Sequence, residues 1–490
     1  MGRPDLPSLP AATSLAEQLR RIRVGPPGPQ VAAFFDFDGT LIDGYSAAVY
    51  FKDRLLRRDV DLDEIADLLA FSRLDEPGTA DFERLLGGVA ARLAGQPEQQ
   101  WAETWTRLFR QRIAAMVFPE AWQLVQAHRQ MGHTLVIASS ATAQQVAAVA
   151  DEFQILHRLT SHLASREGLL TGHLDGTPLW GPEKAAAARR FAKEQGLRLR
   201  DCHAYANGDE DRDFLSVVGR PCAINAQPQL ARLASERGWP RLDFAPQARI
   251  SLGDRLRTIS SYAAMAASFL GGVAYDRLTG ERRRALDLVS TLGTELGLLF
   301  AGIELRVQGE QHLWSQRPAV FIFNHQSPLD LVIGLKLAQR SFTGVVKKEA
   351  AEVPGFGAFM RFADMAFVDR GDAQAARAAL APAVEKLRRG LSVGICPEGT
   401  RSYSPRLGPF KKGAFHLAMQ AGVPVVPVVM RNVGERMWRN GVWMRPGTVD
   451  VMVLPPISVA GWKPAELDQR IAAVRQQFID TLAEWPQEQA

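Results

Sequence analysis

Two short stretches of this 490-residue chain hold side chains of types and spacings that can do chemistry. The first is Phe34-Phe35-Asp36-Phe37-Asp38-Gly39-Thr40, where an apolar run ends in two carboxylates two residues apart. Acid side chains are costly beside buried strand residues unless something needs them. A strand end of this kind can present Asp36 as a nucleophile and Asp38 as a proton donor, with Gly39 allowing the sharp turn. The second is Phe323-Asn324-His325-Gln326-Ser327-Pro328-Leu329-Asp330. Ser327 followed by Pro328 is a helix start. It leaves His325 on the loop before the helix and Asp330 in the first turn. Asp330 can then accept from one imidazole nitrogen, freeing the other to act as a general base on a substrate hydroxyl.

Other residues belong with the first stretch. Ser139 ends the apolar run LVIAS, so its hydroxyl can reach a phosphate, and Lys184 opens a helix in GPEKAAAARRF, where a cation can neutralise phosphoryl oxygens. The acidic turn Ala206-Asn207-Gly208-Asp209-Glu210-Asp211 follows a strand and suits Mg2+.

These residues need a scaffold, and the patterning supplies one. Apolar runs (VAAFFDFD, HTLVIASS, DCHAY, RPCAIN) alternate with helical stretches from Val31 to about Leu242, which predicts a doubly wound parallel α/β sheet. The helical spacing over residues 46–130 reads as a cap inserted after the first strand. From about Gly309 a second α/β domain begins, with strand-like runs PAVFIFNH, FTGVVKK, ADMAFVDR, LSVGICPEG, VPVVPVVM and VDVMVLPP. Between them, Ile259 to Tyr275 is uncharged, and a second apolar helix runs through residues 285–305. This pair is either buried core or a membrane-dipping hairpin. The expected division is an arm over 1–29, a first domain over 30–245, apolar helices over 246–300, a second domain over 301–475 and a tail over 476–490.

Composition bounds the partners. Hydrophobic residues make up 46% and charged residues 23%, with a net charge of +5. That is ordinary for a globular chain with about three domains, and it suits phosphate-bearing partners. The basic residues are dispersed and not interleaved with aromatics in a nucleic-acid motif, so no nucleic-acid partner is expected. Three widely spaced cysteines point to a reducing compartment. The first thirty residues do not read as a secretory signal, and Leu6 stands where a myristoylation signal wants Ser or Thr. Trp438 and Trp443 alternate with arginines around Asn440-Gly441, which reads as a tight hairpin turn whose tip enters lipid headgroups or packs on its own domain.

Asp36, Ser139, Lys184 and the acidic turn, in that order, resemble the haloacid dehalogenase-like phosphatases of the phosphoserine phosphatase subclass. The resemblance implies that Asp36 attacks phosphorus to form an aspartyl-phosphate and that Asp38 protonates the leaving group. It also implies that Ser139 and Lys184 hold the phosphoryl group, and that Mg2+ is held by Asp36, the Asp38 carbonyl, Asn207 and Asp211. Asn207 departs from the family, which usually has aspartate there; Asp209 is a possible substitute. A non-catalytic, regulatory domain is the alternative.

The second stretch is joined by Phe367-Val368-Asp369-Arg370, Cys396-Pro397-Glu398-Gly399-Thr400-Arg401-Ser402 and Val423-Pro424-Val425-Val426-Pro427-Val428. In this order they resemble the glycerolphosphate acyltransferase superfamily, and among it the 1-acyl-sn-glycerol-3-phosphate acyltransferases, with Cys396 where an aromatic residue is common. The resemblance implies that His325 and Asp330 activate the acceptor hydroxyl, and that Arg370 and Arg401 bind its phosphate. Glu398, Gly399 and Thr400 would shape the acceptor site. It further implies lysophosphatidate and an acyl-CoA or acyl carrier protein thioester as substrates, no cofactor for this domain, and peripheral or monotopic attachment at the cytoplasmic face of the cell membrane.

Overall fold

A computed structural model describes residues 13–60, 77–247, 250–348, 356–368 and 381–485, with a few single positions between them. The chain divides into two compact units, Met1–Arg249 and Ile250–Ala490.

The first unit is built on β1 (Ala32–Phe35), β2 (Thr134–Thr142), β3 (His157–Ser161), β6 (His203–Ala206), β7 (Arg220–Ile224) and β8 (Arg241–Leu242). They form one parallel sheet in the order β3-β2-β1-β6-β7-β8. All four residues of β1 are buried, as a central strand covered on both faces requires. Phe34 meets the rings of Phe191 and Phe214 edge-on on one face, and Phe35 stacks on Tyr205 on the other. Strand order reverses at β1, between β2 and β6, and a cleft opens beyond the carboxyl ends of strands at such a point.

Helices Ser46–Leu56, Thr79–Arg92 and Glu98–Gln111 make up the insertion after β1. It ends near Met116, not at residue 130 as the periodicity suggested. Helix Pro119–Gln130 packs on β2 and on helix Leu15–Arg23 instead. Its buried residues Ala121, Leu124, Val125, Ala127 and His128 give it the helical spacing that was read as continuous with the cap. The short ribbon of β4 (Leu163–Arg166) and β5 (Leu169–Leu174), not foreseen, packs against helix Thr79–Arg92. Its main chain bonds Gly95, Gln96 and Glu98, so the ribbon holds the insertion at the turn between its second and third helices.

The second unit has β9 (Ile303–Gln308), β10 (Val320–Phe323), β11 (Phe342–Lys347), β12 (Ala366–Val368), β13 (Ser392–Ile395), β14 (Val425–Met430) and β15 (Gly447–Val453). The order is β12-β11-β13-β10-β14-β15-β9, parallel except where β15 runs against β14. β9 begins inside the stretch the sequence reading gave to the second apolar helix: Gly302 at φ +69° ends that helix and Ile303 starts the strand.

The apolar helices pack within this unit. Helix Leu252–Thr279 starts on a reciprocal cap between Ser251 and Asp254 and stops at Gly280. It lies against helix Thr294–Ala301, with the Ser261 hydroxyl donating to the Gly297 carbonyl at 2.6 Å. No described helix is long and apolar enough to cross a membrane. Leu252, Leu256, Ile259, Leu270, Leu299 and Phe300 remain exposed.

The loop around Asn440 and Gly441 is a turn, with the Gly441 N–H bonding the Trp438 carbonyl at 2.8 Å and the Arg445 N–H bonding the Arg436 carbonyl at 2.7 Å; it lies in the long connection between the antiparallel strands β14 and β15, with no strand immediately beside the turn. Met437 and Met444 are buried, while Val442 and Trp443 are exposed. The Tyr262 hydroxyl donates to the Val442 carbonyl and Arg255 lies over the Trp443 ring, so this loop and the long helix share one surface.

Candidate functional site

At the carboxyl end of β1 the first constellation assembles. Lys184, in the first turn of helix Pro182–Glu194, donates to Asp36 Oδ1 and to Asp211 Oδ1, each at 2.7 Å. All three side chains are buried. Burial works against the Lys184 ammonium, but Asp211 and Asp36 more than reverse this and hold it well above its ordinary range. Burial raises the Asp36 carboxyl to about 6, with Lys184 opposing, so it is ionised at neutral pH. Asp38 accepts from the Ser46 N–H at 2.7 Å and the Ser46 hydroxyl at 3.1 Å. Burial raises it to about 7, against those two bonds, which leaves it a proton to give near neutrality.

The amide oxygen of Asn207 stands 2.8 Å from the Asp38 carbonyl oxygen and 3.3 Å from Asp36 Oδ2. Three acceptors thus face one another. A hard cation would reconcile them, and so would a half-turn of the amide, which makes the nitrogen donate to both. The residues therefore fit Mg2+. Gly39 is at φ +75°, and a Cβ there would fall 2.2 Å from the Asn207 amide nitrogen, so only glycine lets this amide approach.

Asp211 has Lys184 as its partner at Oδ1, and its Oδ2 has no hydrogen bond among the described residues; it is not one of the three converging oxygens. Asp209, the possible substitute ligand, is spent elsewhere: its carboxylate accepts from the Leu230 N–H and caps helix Pro228–Glu236. Ser139 lies on β2. With Phe35 opposite Ile137, it sits just past the level of Asp36, and its hydroxyl accepts from the Ala141 N–H at 3.2 Å.

Two residues at this site escaped the sequence reading. Ser46 opens the helix that aims its N–H at Asp38; its place eight residues after Asp38 was the available signal. Glu210 folds back over Gly208, and burial with Asp211 nearby raises it to about 7. Nothing in an acidic turn says which carboxylate turns inward.

The second constellation hangs on the loop between β10 and helix Leu329–Ala338. Asp330 Oδ2 accepts from His325 Nδ1 at 2.7 Å, from the Gln326 N–H at 2.7 Å and from the Ser327 N–H at 2.9 Å. Asp330 is buried, whereas the His325 side chain is 27% exposed. The bond to a carboxylate puts the ring proton on Nδ1 and leaves Nε2 as the acceptor. Burial opposes the imidazolium, but the Cys396 side chain, which hydrogen-bonds the ring, and Asp330 both favour it and push His325 up to about 10.

The loop is fixed on every side. Glu398 accepts from the His325 N–H and the Gly408 N–H, both at 2.7 Å, and Ser402 donates to the His325 carbonyl. The side chain of Asn324 spans to β14, exchanging two 2.7 Å bonds with the Met430 main chain. The Ser327 hydroxyl donates to the Met437 carbonyl. Glu398, expected to shape the acceptor site, is buried and braces the loop that carries His325. Asn324 and Ser402 join it as supports that the motifs did not single out, and Ser327, read as the helix start, also ties the loop to Met437. Gly399, at φ +75°, turns the chain beside Lys411. Thr400 is exposed and Arg401 is half-buried, bonding the Arg439 carbonyl. Arg370 lies outside the described residues.

The comparisons with known proteins follow the same division. A haloacid dehalogenase-like hydrolase family model matches residues 33–216, and an acyltransferase family model matches residues 304–431. A 1-acyl-sn-glycerol-3-phosphate acyltransferase of Limnanthes douglasii is 34% identical over 183 residues, 37% of this chain and 64% of its own length. One of Saccharomyces cerevisiae is 34% identical over 236 residues, 47% of this chain and 77% of its own length. This chain thus spans less than two thirds of the plant relative. Among solved structures, the 1-acyl-sn-glycerophosphate acyltransferase of Thermotoga maritima aligns with 48% of this chain and 98% of its own, at 25% identity and a TM-score of 0.41. A phosphoserine phosphatase captured as a phospho-aspartyl intermediate analogue aligns with 44% of this chain and 95% of its own, at 18% identity and a TM-score of 0.34. By its similarity to the yeast relative, this chain belongs to the 1-acyl-sn-glycerol-3-phosphate acyltransferase family, with a haloacid dehalogenase-like hydrolase domain preceding the acyltransferase domain.

Proposed function

We propose that the second unit transfers an acyl group from a thioester of coenzyme A or acyl carrier protein to 1-acyl-sn-glycerol-3-phosphate, giving phosphatidate. The observation that carries this reading is the 2.7 Å bond between His325 Nδ1 and Asp330. His325 Nε2 takes the proton of the acceptor hydroxyl as its oxygen attacks the thioester carbonyl. Asp330 holds the imidazolium that forms, and the departing thiolate recovers the proton. Arg401, beside the loop, and Arg370 are the proposed contacts for the acceptor phosphate. Purified chain given lysophosphatidate and oleoyl-CoA should yield phosphatidate. His325→Ala should yield none above background, and undiminished product from that variant would overturn the reading.

The first unit, in the same proposal, hydrolyses a phosphomonoester. Asp36 attacks phosphorus, forming an aspartyl-phosphate, while Asp38 protonates the leaving oxygen and then draws a proton from the attacking water. Lys184 and Ser139 orient the phosphoryl group. Mg2+, held by Asp36, the Asp38 carbonyl and Asn207, would supply charge neutralisation for the phosphoryl oxygens. The neutral Asn207 favours a second reading, in which this unit is a weak or inactive regulatory domain; Mg2+-dependent phosphate release that Asp36→Asn abolishes would exclude it.

Attachment at the cytoplasmic face of a membrane belongs to the same proposal. Leu252, Leu256, Ile259, Val442 and Trp443 are exposed on the surface shared by the long helix and the tryptophan loop, with Arg255 beside them. Unchanged flotation with anionic liposomes after Trp438→Ala and Trp443→Ala would remove the loop from it.

A further inference from the structure

On the face of the first sheet covered by helices Leu15–Arg23 and Pro119–Gln130, three histidines meet: His128, His133 and His203. All are buried, and their nearest ligand atoms lie within 4.8 Å of one another. His203 is the first residue of β6, at the end of the strand opposite to Asn207 and the phosphoryl site. The proposed mechanism uses none of them.

The hydrogen bonds fix where the protons are. The Pro26 carbonyl can only accept, so His133 Nε2 donates to it, at 3.0 Å, and His133 Nδ1 is a bare lone pair. Facing it at 2.8 Å is His128 Nδ1, which must therefore donate. His128 Nε2 is then bare and accepts a hydrogen bond from the Tyr205 hydroxyl at 2.8 Å, while the Gln18 amide donates to the Tyr205 oxygen at 3.2 Å. This chain accounts for every ring nitrogen of two histidines and leaves out the third. Both nitrogens of His203 lack a partner among the described residues, although the ring is buried and sits 4.6 Å, centroid to centroid, from that of His128. A buried polar side chain left so costs free energy that folding normally avoids. Burial also keeps these rings neutral, His203 being pulled down to about 3, which is the form that ligates metal.

We propose that this trio is a binding site for a borderline divalent transition metal, Zn2+ being the first candidate, with His128 Nδ1, His133 Nδ1 and one His203 nitrogen as ligands. The metal replaces the one proton shared by His128 and His133. That proton moves to His128 Nε2 and donates to the Tyr205 oxygen. The Tyr205 proton turns to Gln18 Oε1, which has no partner in the structure and becomes available when the amide rotates. No proton leaves the protein. Ligand nitrogens at 2.0–2.1 Å from zinc stand ~3.3 Å apart, so the Nδ1 pair must open by about half an ångström while His203 closes. The fourth position goes to a water. Arg220, whose charge acts on His133 and His203, weakens the site relative to one lacking it. The bound metal would join helix Pro119–Gln130, the turn after it and β6, a structural role away from the phosphoryl cleft.

The test uses the full chain, stripped with chelator, with excess Mg2+ present to occupy the aspartates. Titration with Co2+ should give one equivalent showing the intense visible bands of a four-coordinate ion, which Zn2+ abolishes, and Zn2+ should raise the Tm. His203→Ala, which removes no hydrogen bond of the metal-free form, should weaken Co2+ binding at least tenfold and cancel the Zn2+ shift. His133→Gln should do the same and stands in if the first variant does not fold. A pale six-coordinate spectrum, or equal binding by wild type and both variants, would overturn the proposal and leave the trio a proton-sharing core network.

Discussion

Replacing Asp330 by asparagine separates what this residue does for the fold from what it does for the reaction. One carboxylate oxygen collects three bonds, from His325 Nδ1 and from the Gln326 and Ser327 N–H groups. An asparagine oxygen in the same place keeps all three and loses the charge. At 2.7 Å and an effective dielectric near 20, a carboxylate and an imidazolium attract by about 6 kcal/mol. The ring is 27% open to water, so roughly half of that is expected to survive as stabilisation of the charged ring. A loss of about 3 kcal/mol lowers kcat roughly a hundredfold. Asp330→Ala also strands two buried N–H groups, at about 1–3 kcal/mol each, and should lower the Tm well beyond the asparagine variant. The assay is initial acyl transfer to lysophosphatidate, with His325→Ala and the double variant completing a cycle. Once the imidazole is gone, the asparagine should cost nothing more. Full activity in Asp330→Asn, or additive losses in the cycle, would refute the reasoning.

Three further outcomes follow from the same contacts. Because His325 is pushed up to about 10, its neutral form grows tenfold per pH unit above neutrality, so kcat/KM for acyl transfer should rise from pH 7 toward alkaline pH. Cys396→Ala removes a group that favours the imidazolium and should move that rise to lower pH; superimposable profiles would contradict this. Burial raises Glu398 to about 7 from an ordinary 4.5, so the stability it contributes is full below about pH 4.5 and lost as pH rises through 7. Glu398→Gln should flatten the fall in Tm between pH 5 and 8 and, by leaving one of two N–H groups unpaired, lower stability by about 1–3 kcal/mol. Asn207→Asp restores a charge among the three converging oxygens, and the Mg2+ concentration giving half-maximal phosphate release should drop roughly tenfold; an unchanged value would place the ion elsewhere.

The parts legible in the sequence were those set by short-range physics. Apolar runs ending in Asp36 and in Asn324 are strands because only burial on both faces tolerates such runs, and Ser327-Pro328 does mark a helix start. Pro328 already has helical dihedral angles, φ -59° and ψ -26°, and the Ser327 hydroxyl accepts from the Leu329 N–H at 3.1 Å, as a cap at the residue before a first-turn proline does. Long-range choices were not legible. Periodicity cannot tell a cap helix from a crossover helix, since both bury one stripe, and so residues 119–130 were placed wrongly. Strand Ile303–Gln308 was hidden because its apolar residues continue the helical pattern until Gly302 breaks it. The bracing role of Glu398 was not legible, since a buried carboxylate joining the N–H groups of His325 and Gly408, 83 residues apart in the chain, has no local signature. In the acidic turn, where Asp211 was the expected ligand and Asp209 a possible substitute for Asn207, only the positions of Leu230 and Lys184 show Asp209 capping a helix and Asp211 holding the lysine.

That two independent sites act on phosphate-bearing lipids or their headgroups is best examined with radiolabelled lysophosphatidate and oleoyl-CoA presented to wild type, His325→Ala and Asp36→Asn in parallel, with Mg2+ present. Wild type should form labelled phosphatidate, His325→Ala none, and Asp36→Asn at least as much as wild type; any diacylglycerol should be missing from both variants, while phosphate released from lysophosphatidate itself should vanish in Asp36→Asn alone. Phosphatidate formed by His325→Ala at the wild-type rate would contradict the assignment of the imidazole as the base.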